Sequence, residues 1–182
     1  KHPEGMDRYS ILLSILPQVK KPFGSEIPLP PYIGESLGFL LEPLGLAWSP
    51  TPRFDQLPPE GRHGVQYQHG QQAALFELPQ PGRRALGEVL AEWRRLLETG
   101  YQYAAVDFPL DAPGVAQLSD ALAEAGFFMA GFVPWRHSGR LGFRYQAVAP
   151  TRVAFDQISV HTPAARRLLG AVRRDYERNS RR

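Results

Sequence analysis

The chain has 182 residues, 43% of them hydrophobic and 21% charged, with a formal net charge of +3 and no cysteine. That size suits one domain, or one with a small appendage, and is enough to bury a sizeable core. The absence of cysteine excludes disulfides, thiolate metal sites and a cysteine nucleophile, and no apolar run approaches the ~20 residues of a membrane span.

Tyr9–Leu16 (YSILLSIL) is short, apolar and closed by Pro17, which predicts a strand. Lys20–Pro31 holds four prolines and reads as an extended connector with a short strand at Glu26–Leu29. Ile33, Leu37, Leu40, Leu41 and Leu44 follow helical spacing, predicting a helix near Ile33–Leu41 that Pro43 ends and Gly45 turns. Trp48–Gly64 carries four prolines and reads as a mobile loop of the kind that covers a site, or as a loop wrapped over the surface. Gly64–His69 and Ala73–Leu78 form a predicted hairpin about Gly70.

The helix Arg84–Thr99 has the clearest stripe, Leu86, Val89, Leu90, Trp93, Leu96 and Leu97, with Arg94 and Glu98 spaced to pair on the other side and Gly100 as a left-handed cap. Strand Tyr101–Leu110 follows, with parallel neighbours expected from the alternation of strand and helix. A second helix buries Val115, Leu118, Leu122 and Ala125, with Pro113 in its first turn. Phe127–Val133 and Leu141–Val148 then pair about a His137-Ser138-Gly139 turn. The chain closes on a predicted strand, Arg152–Val160, and a helix capped by Thr162 and Pro163. In that helix Leu168, Leu169, Val172 and Tyr176 face inward and Arg166, Arg167, Arg173 and Arg174 outward. From Thr151 to Arg182 there are eight arginines and three acids, so this tail carries +5 and the rest −2. Such a tail is either a solvated helix face or a surface for nucleic acid or another acidic partner.

The run from Ala73 to Val148, strand-helix-strand-helix and two strands, resembles the C-terminal half of the GNAT acyltransferase superfamily. The helix ending Ala121-Leu122-Ala123-Glu124-Ala125-Gly126-Phe127 is similar to the family's helix that ends in Gly-Phe and feeds the next strand. Arg84-Ala85-Leu86-Gly87 stands where the family keeps its acyl-CoA pyrophosphate loop, Gln/Arg-x-x-Gly-x-Gly/Ala. Arg84 and Gly87 match, and Val89 replaces the last small residue. Pro28–Leu46, Val106–Ala112 and Gly126–Pro134 further resemble a divergent GNAT-like group in bacterial proteins that carry an anti-sigma-type ATPase module. The resemblance implies a mixed α/β GNAT-like fold over residues 23–182, with residues 1–22 as an N-terminal strand and connector and a C-terminal strand and helix added. Lys1–Leu16 reads as the possible trailing edge of an upstream domain.

The implied activity is transfer of an acyl group from acetyl-CoA or another acyl-CoA to an amine, in a cytoplasmic protein. The alternative is a non-catalytic GNAT-like domain that senses a ligand or binds a protein partner. The start of the Arg84 helix presents unpaired N–H groups and a positive dipole end, to which Arg83 and Arg84 add charge, so Arg83, Arg84 and Gly87 are the candidate CoA-binding residues. Pro79 and Pro81 remove two donors nearby. Amine acylation needs a base. Glu77 lies where some GNAT enzymes keep one, or is an outward strand residue. Asp107, in an apolar strand, is the second candidate base, or a partner in a local salt bridge. The family's thiolate-protonating Tyr falls at Leu122. Phe127, Phe128, Phe132 and Trp135 line a pocket or pack the core, with Phe128 and Phe132 on one strand face by spacing. The histidines show no metal spacing, and neither G-x-S-x-G nor a P-loop occurs.

Overall fold

The computed structural model describes residues 26–50, 56–134, 141–149 and 153–179. The predicted strand at residues 9–16, the connector up to residue 25, the turn at residues 137–139 and Trp135 lie outside them.

Two short strands, β1 (Glu26–Leu29) and β2 (Ala47–Pro50), pair in parallel around α1 (Pro31–Leu37). The predicted helix to Leu41 is therefore cut short. After Leu37 the chain tightens into two 3-10 turns, and Gly45, at φ +68°, turns it back. Trp48, expected in a loop, lies on β2 with its ring packed over Gly34 and Gly38 of the α1 region, leaving no room for a Cβ at either.

The main body is one mixed sheet ordered β3-β4-β5-β7-β6. It comprises β3 (Arg62–Gln68), β4 (Ala73–Gln80), β5 (Tyr103–Pro109), β6 (Phe128–Pro134) and β7 (Leu141–Val148). Helix α2 (Arg83–Glu98) joins β4 to β5, and α3 (Val115–Glu124) joins β5 to β6. Only the β4–β5 pair is parallel; β5 meets β7 antiparallel, because the β6–β7 hairpin folds back to insert its second strand beside β5. The expectation of parallel neighbours for β5 holds on one side only.

Strand alternation sorts the two faces. Ala74, Phe76 and Leu78 of β4, Ala104, Val106 and Phe108 of β5, and Phe143, Tyr145 and Ala147 of β7 join one core with Leu86, Val89, Trp93 and Leu96 of α2 and Leu118 and Leu122 of α3. Each of the larger side chains, the Leu, Val and Phe residues, contributes about 1.5–3 kcal/mol on burial. From α1, Ile33 and Leu37 join this core, and the Tyr32 hydroxyl meets that of Tyr145 at 2.6 Å. Phe128 and Phe132, expected on one face, lie on opposite ones. A bulge between Met129 and Gly131 (φ +141°) shifts the register, so Phe128 stands opposite Gln146 and Phe132 opposite Phe143.

The edge strand β6 is covered by α4 (Pro163–Asn179). Asp175 accepts the Met129 N–H at 2.7 Å and Asn179 donates to the Phe127 carbonyl at 2.8 Å, so α4 side chains replace a strand neighbour. The predicted strand 152–160 is absent from its described part, residues 153–160, which instead holds a 3-10 turn, Phe155–Gln157. With α4 already on the β6 edge, Val153, Phe155 and Ile158 pack as a small cluster with Phe128, Val172 and Tyr176. Thr162 caps α4 as expected, its hydroxyl accepting the Ala165 N–H at 3.1 Å.

Candidate functional site

The parallel ladder between β4 and β5 ends at the Glu77–Asp107 rung. Beyond it each strand continues with a different partner, β4 with β3 as far as Gln80 and β5 with β7 as far as Pro109. The two strands lose each other just where α2 and α3 are about to begin. A cleft of about 520 Å³ opens there, lined by Pro58, residues 60–62, residues 79–81, Pro109 and residues 111–113; Glu77, Asp107, Arg83, Arg84 and Gly87 are not among its lining residues. Ligands of open α/β sheets bind outside the carboxyl ends of parallel strands, and this is that position.

Glu77 and Asp107 share the sheet face opposite α2 and α3. Register extends their row to Arg144 on β7, with Gly64 and Gly131 at its two ends. Three charged side chains thus cross the sheet as carboxylate, carboxylate and guanidinium, flanked by positions without a Cβ. Asp107 accepts two bonds from Arg144, 2.7 Å from Nε and 2.6 Å from Nη2. This pairing pushes the Arg144 guanidinium above its ordinary value, against the opposing effect of burial. Asp107 is therefore held in the local salt bridge that was one of its two sequence readings. Tyr103, on the same face, is raised by burial and donates a long bond, 3.3 Å, to Gln146.

Gly82 caps α2 in an extended conformation, and the helix starts at Arg83. Arg83 and Arg84 are exposed, and Gly87 lies on the exposed side of the first turn with open space around it. Arg84 pairs with Glu60 at 3.0 Å and Glu88 at 3.3 Å. The first two helix N–H groups are engaged: Arg83 N–H donates to the Pro58 carbonyl at 2.8 Å and Arg84 N–H to that of Pro59 at 3.1 Å. The sequence places residues 56–61 in the Trp48–Gly64 loop, but their bonds to the start of α2 are backbone to backbone and carry no periodic signal. Leu122, where the resemblance implies a Tyr, is fully buried.

At the opposite end of β4 and β5, a smaller hollow of about 280 Å³ is lined by Tyr67, His69, Arg95, Leu96, Thr99 and Tyr101. The Tyr101 hydroxyl bonds His69 Nδ1, and Tyr67 donates to Glu92 at 2.7 Å. Arg95 and Tyr67 together hold Glu92 down at about 2. The expected Arg94–Glu98 pair is not among the ion pairs of the described residues; Arg95–Glu92 takes its place.

On α4, Arg167 stacks on Phe39, Arg178 on Tyr32 and against Asp175, and Arg173 bridges Asp156 and Glu177. Among the described residues no group of three or more His, Asp or Glu is arranged to hold a metal ion, and no helix is long and apolar enough to cross a membrane. No protein-family model, curated protein or solved structure matches the chain.

Proposed function

We propose that the chain is a GNAT-like domain that binds acyl-CoA in the β4–β5 cleft and transfers the acyl group to an amine, in the cytoplasm. The observation that carries this reading is the parting of the main sheet's parallel pair just past Glu77, before α2 begins. Glu77 lies on β4 just before residues 79–81, which line the cleft at the carboxyl end of the strands, where open α/β sheets take their ligands. In the reaction an amine attacks the thioester carbonyl, Glu77 takes the amine proton directly or through water, and the C–S bond breaks to release CoA thiolate. With Leu122 in place of a Tyr, the thiolate takes its proton from solvent. The Asp107–Arg144 pair holds the floor of the row next to Glu77 and is a positioning element.

Free-thiol release from acetyl-CoA, followed with a panel of primary amines, tests this. Glu77→Gln should lower kcat by about 10²-fold or more and leave acetyl-CoA affinity within a few-fold. The second reading, a ligand-sensing or partner-binding domain without catalysis, draws on buried Leu122 and on Asp107 being committed to Arg144. Acetyl-CoA binding without thiol release for any amine would favour it. Nucleic-acid contact through α4 ranks lowest, since several of its arginines already serve intramolecular partners.

A further inference from the structure

Glu77 is the candidate base, yet it is not among the residues that line the cleft. Its row lies on the sheet face opposite α2 and α3, so an amine that gives it a proton arrives over that face. The sheet edge opens one way in. β3 is the edge strand, and the residue it sets opposite Glu77 is Gly64. Gly64 is exposed, and a Cβ built on it meets nothing within 4 Å. From Glu77 to the edge this row therefore holds backbone and no side chain. The next β3 residue on the same face, Gln66, stands opposite Leu75 and closes one side. On the other side a bulge between Arg62 and Gly64 interrupts the ladder right beside the pair. The result is a notch one residue wide. Beyond it, Arg144 is committed to Asp107 by its two-bond fork, so Glu77 is the carboxylate that an incoming cation meets first.

We propose that Gly64 sets the acceptor specificity: a primary amine on an unbranched chain crosses the β3 edge over Gly64 to reach Glu77, and the rest of the acceptor stays outside the sheet. The amine arrives protonated, loses that proton to water, and then attacks the thioester and gives a second proton to Glu77. A notch one residue wide passes a methylene chain and excludes a carbon that is branched or ringed next to the nitrogen. Lysine side chains of a peptide and free polyamines share this chemistry. The inference rests on the acyl-transfer reading and names its acceptor.

The test follows thiol release from acetyl-CoA in the wild type, Gly64→Ala and Gly64→Val. The amines are a lysine peptide blocked at its α-amine, spermidine, and the branched α-methylbenzylamine. Gly64 is not among the positive-φ glycines and has room for a Cβ, so both variants should melt with the wild type. The expected result is a KM for the linear amine that rises from Gly64 to Ala to Val, by about 10-fold for Val, the equivalent of 1.4 kcal/mol. The acetyl-CoA KM should stay within a few-fold, and the branched amine should be a poor acceptor throughout. Use of either linear amine in this way supports the route, and which one is used tells a protein acceptor from a free polyamine. Turnover with equal amine KM in all three proteins, or with the branched amine used as well as the linear ones, would overturn the Gly64 route and leave acyl transfer standing. No thiol release with any amine would overturn the acyl-transfer reading, and the route with it.

Discussion

Glu77 and Asp107 are neighbours on one rung, yet their surroundings give them different work. Asp107 is locked to Arg144 by a two-bond fork, while Glu77 is the last β4 residue paired with β5. Replacing Arg144 with Met removes both donors and leaves a half-buried carboxylate without its partner. The expected loss is about 1–3 kcal/mol by urea unfolding, largely recovered when Asp107→Asn is added, as a double-mutant cycle would show. Glu92 gives a pH prediction. Its carboxyl is depressed to about 2 in the folded chain by bonds from Arg95 and then Tyr67, against an ordinary 4.5. A depressed acid stabilises above its unfolded value, and that contribution is lost as pH falls through the folded one. Stability should therefore decline between about pH 4.5 and 2, and Glu92→Gln should flatten that decline in a pH series of thermal melts.

At the scale of elements, α4 behaves as a substitute strand. Its apolar stripe was legible in the spacing of Leu168, Leu169, Val172 and Tyr176, but its polar hold on β6 was not. Asp175 and Asn179 look like ordinary surface residues in sequence; they are buried because β6 is an edge and its backbone groups need partners. Asp175→Ala should cost about 2–4 kcal/mol, since it strands the Met129 N–H and removes the Arg178 partner. Exchange at the Met129 amide should rise with it, whereas Asp175→Asn, which keeps an acceptor, should lose less. The missed strand at residues 153–160 has the same root. Phe155 there is buried and Val153 and Ile158 partly so, but strand form needs a free sheet edge, and α4 had taken it.

Across the whole molecule, the order from Ala73 to Val148 was readable because each element carries its own period and its own stop: the α2 stripe, Gly100, Gly126 and the two alternating strands after it. The register was not readable. The bulge at Gly131 reverses which face Phe128 presents, and one residue of slip is invisible to a period-2 pattern. The candidate residues Glu77 and Asp107 were named from the sequence, but Arg144, which decides what Asp107 can do, was not. Its partner lies 37 positions away and meets it only through the antiparallel insertion of β7. Residues 56–61 were readable only as part of the Trp48–Gly64 loop; their anchoring runs through carbonyls of Pro58 and Pro59 and the space left by Gly82, which no side-chain pattern announces.

The central claim is that the cleft where β4 and β5 part receives an acyl-CoA. The most direct measurement is a titration of the isotope-labelled protein with acetyl-CoA, followed at backbone amides. The account predicts saturable shifts confined to Gln80, residues 82–84, Asp111 and Ala112. Absence of any saturable shift up to millimolar acetyl-CoA, or shifts that instead cluster on the Arg face of α4 or around Tyr67 and Tyr101, would contradict it.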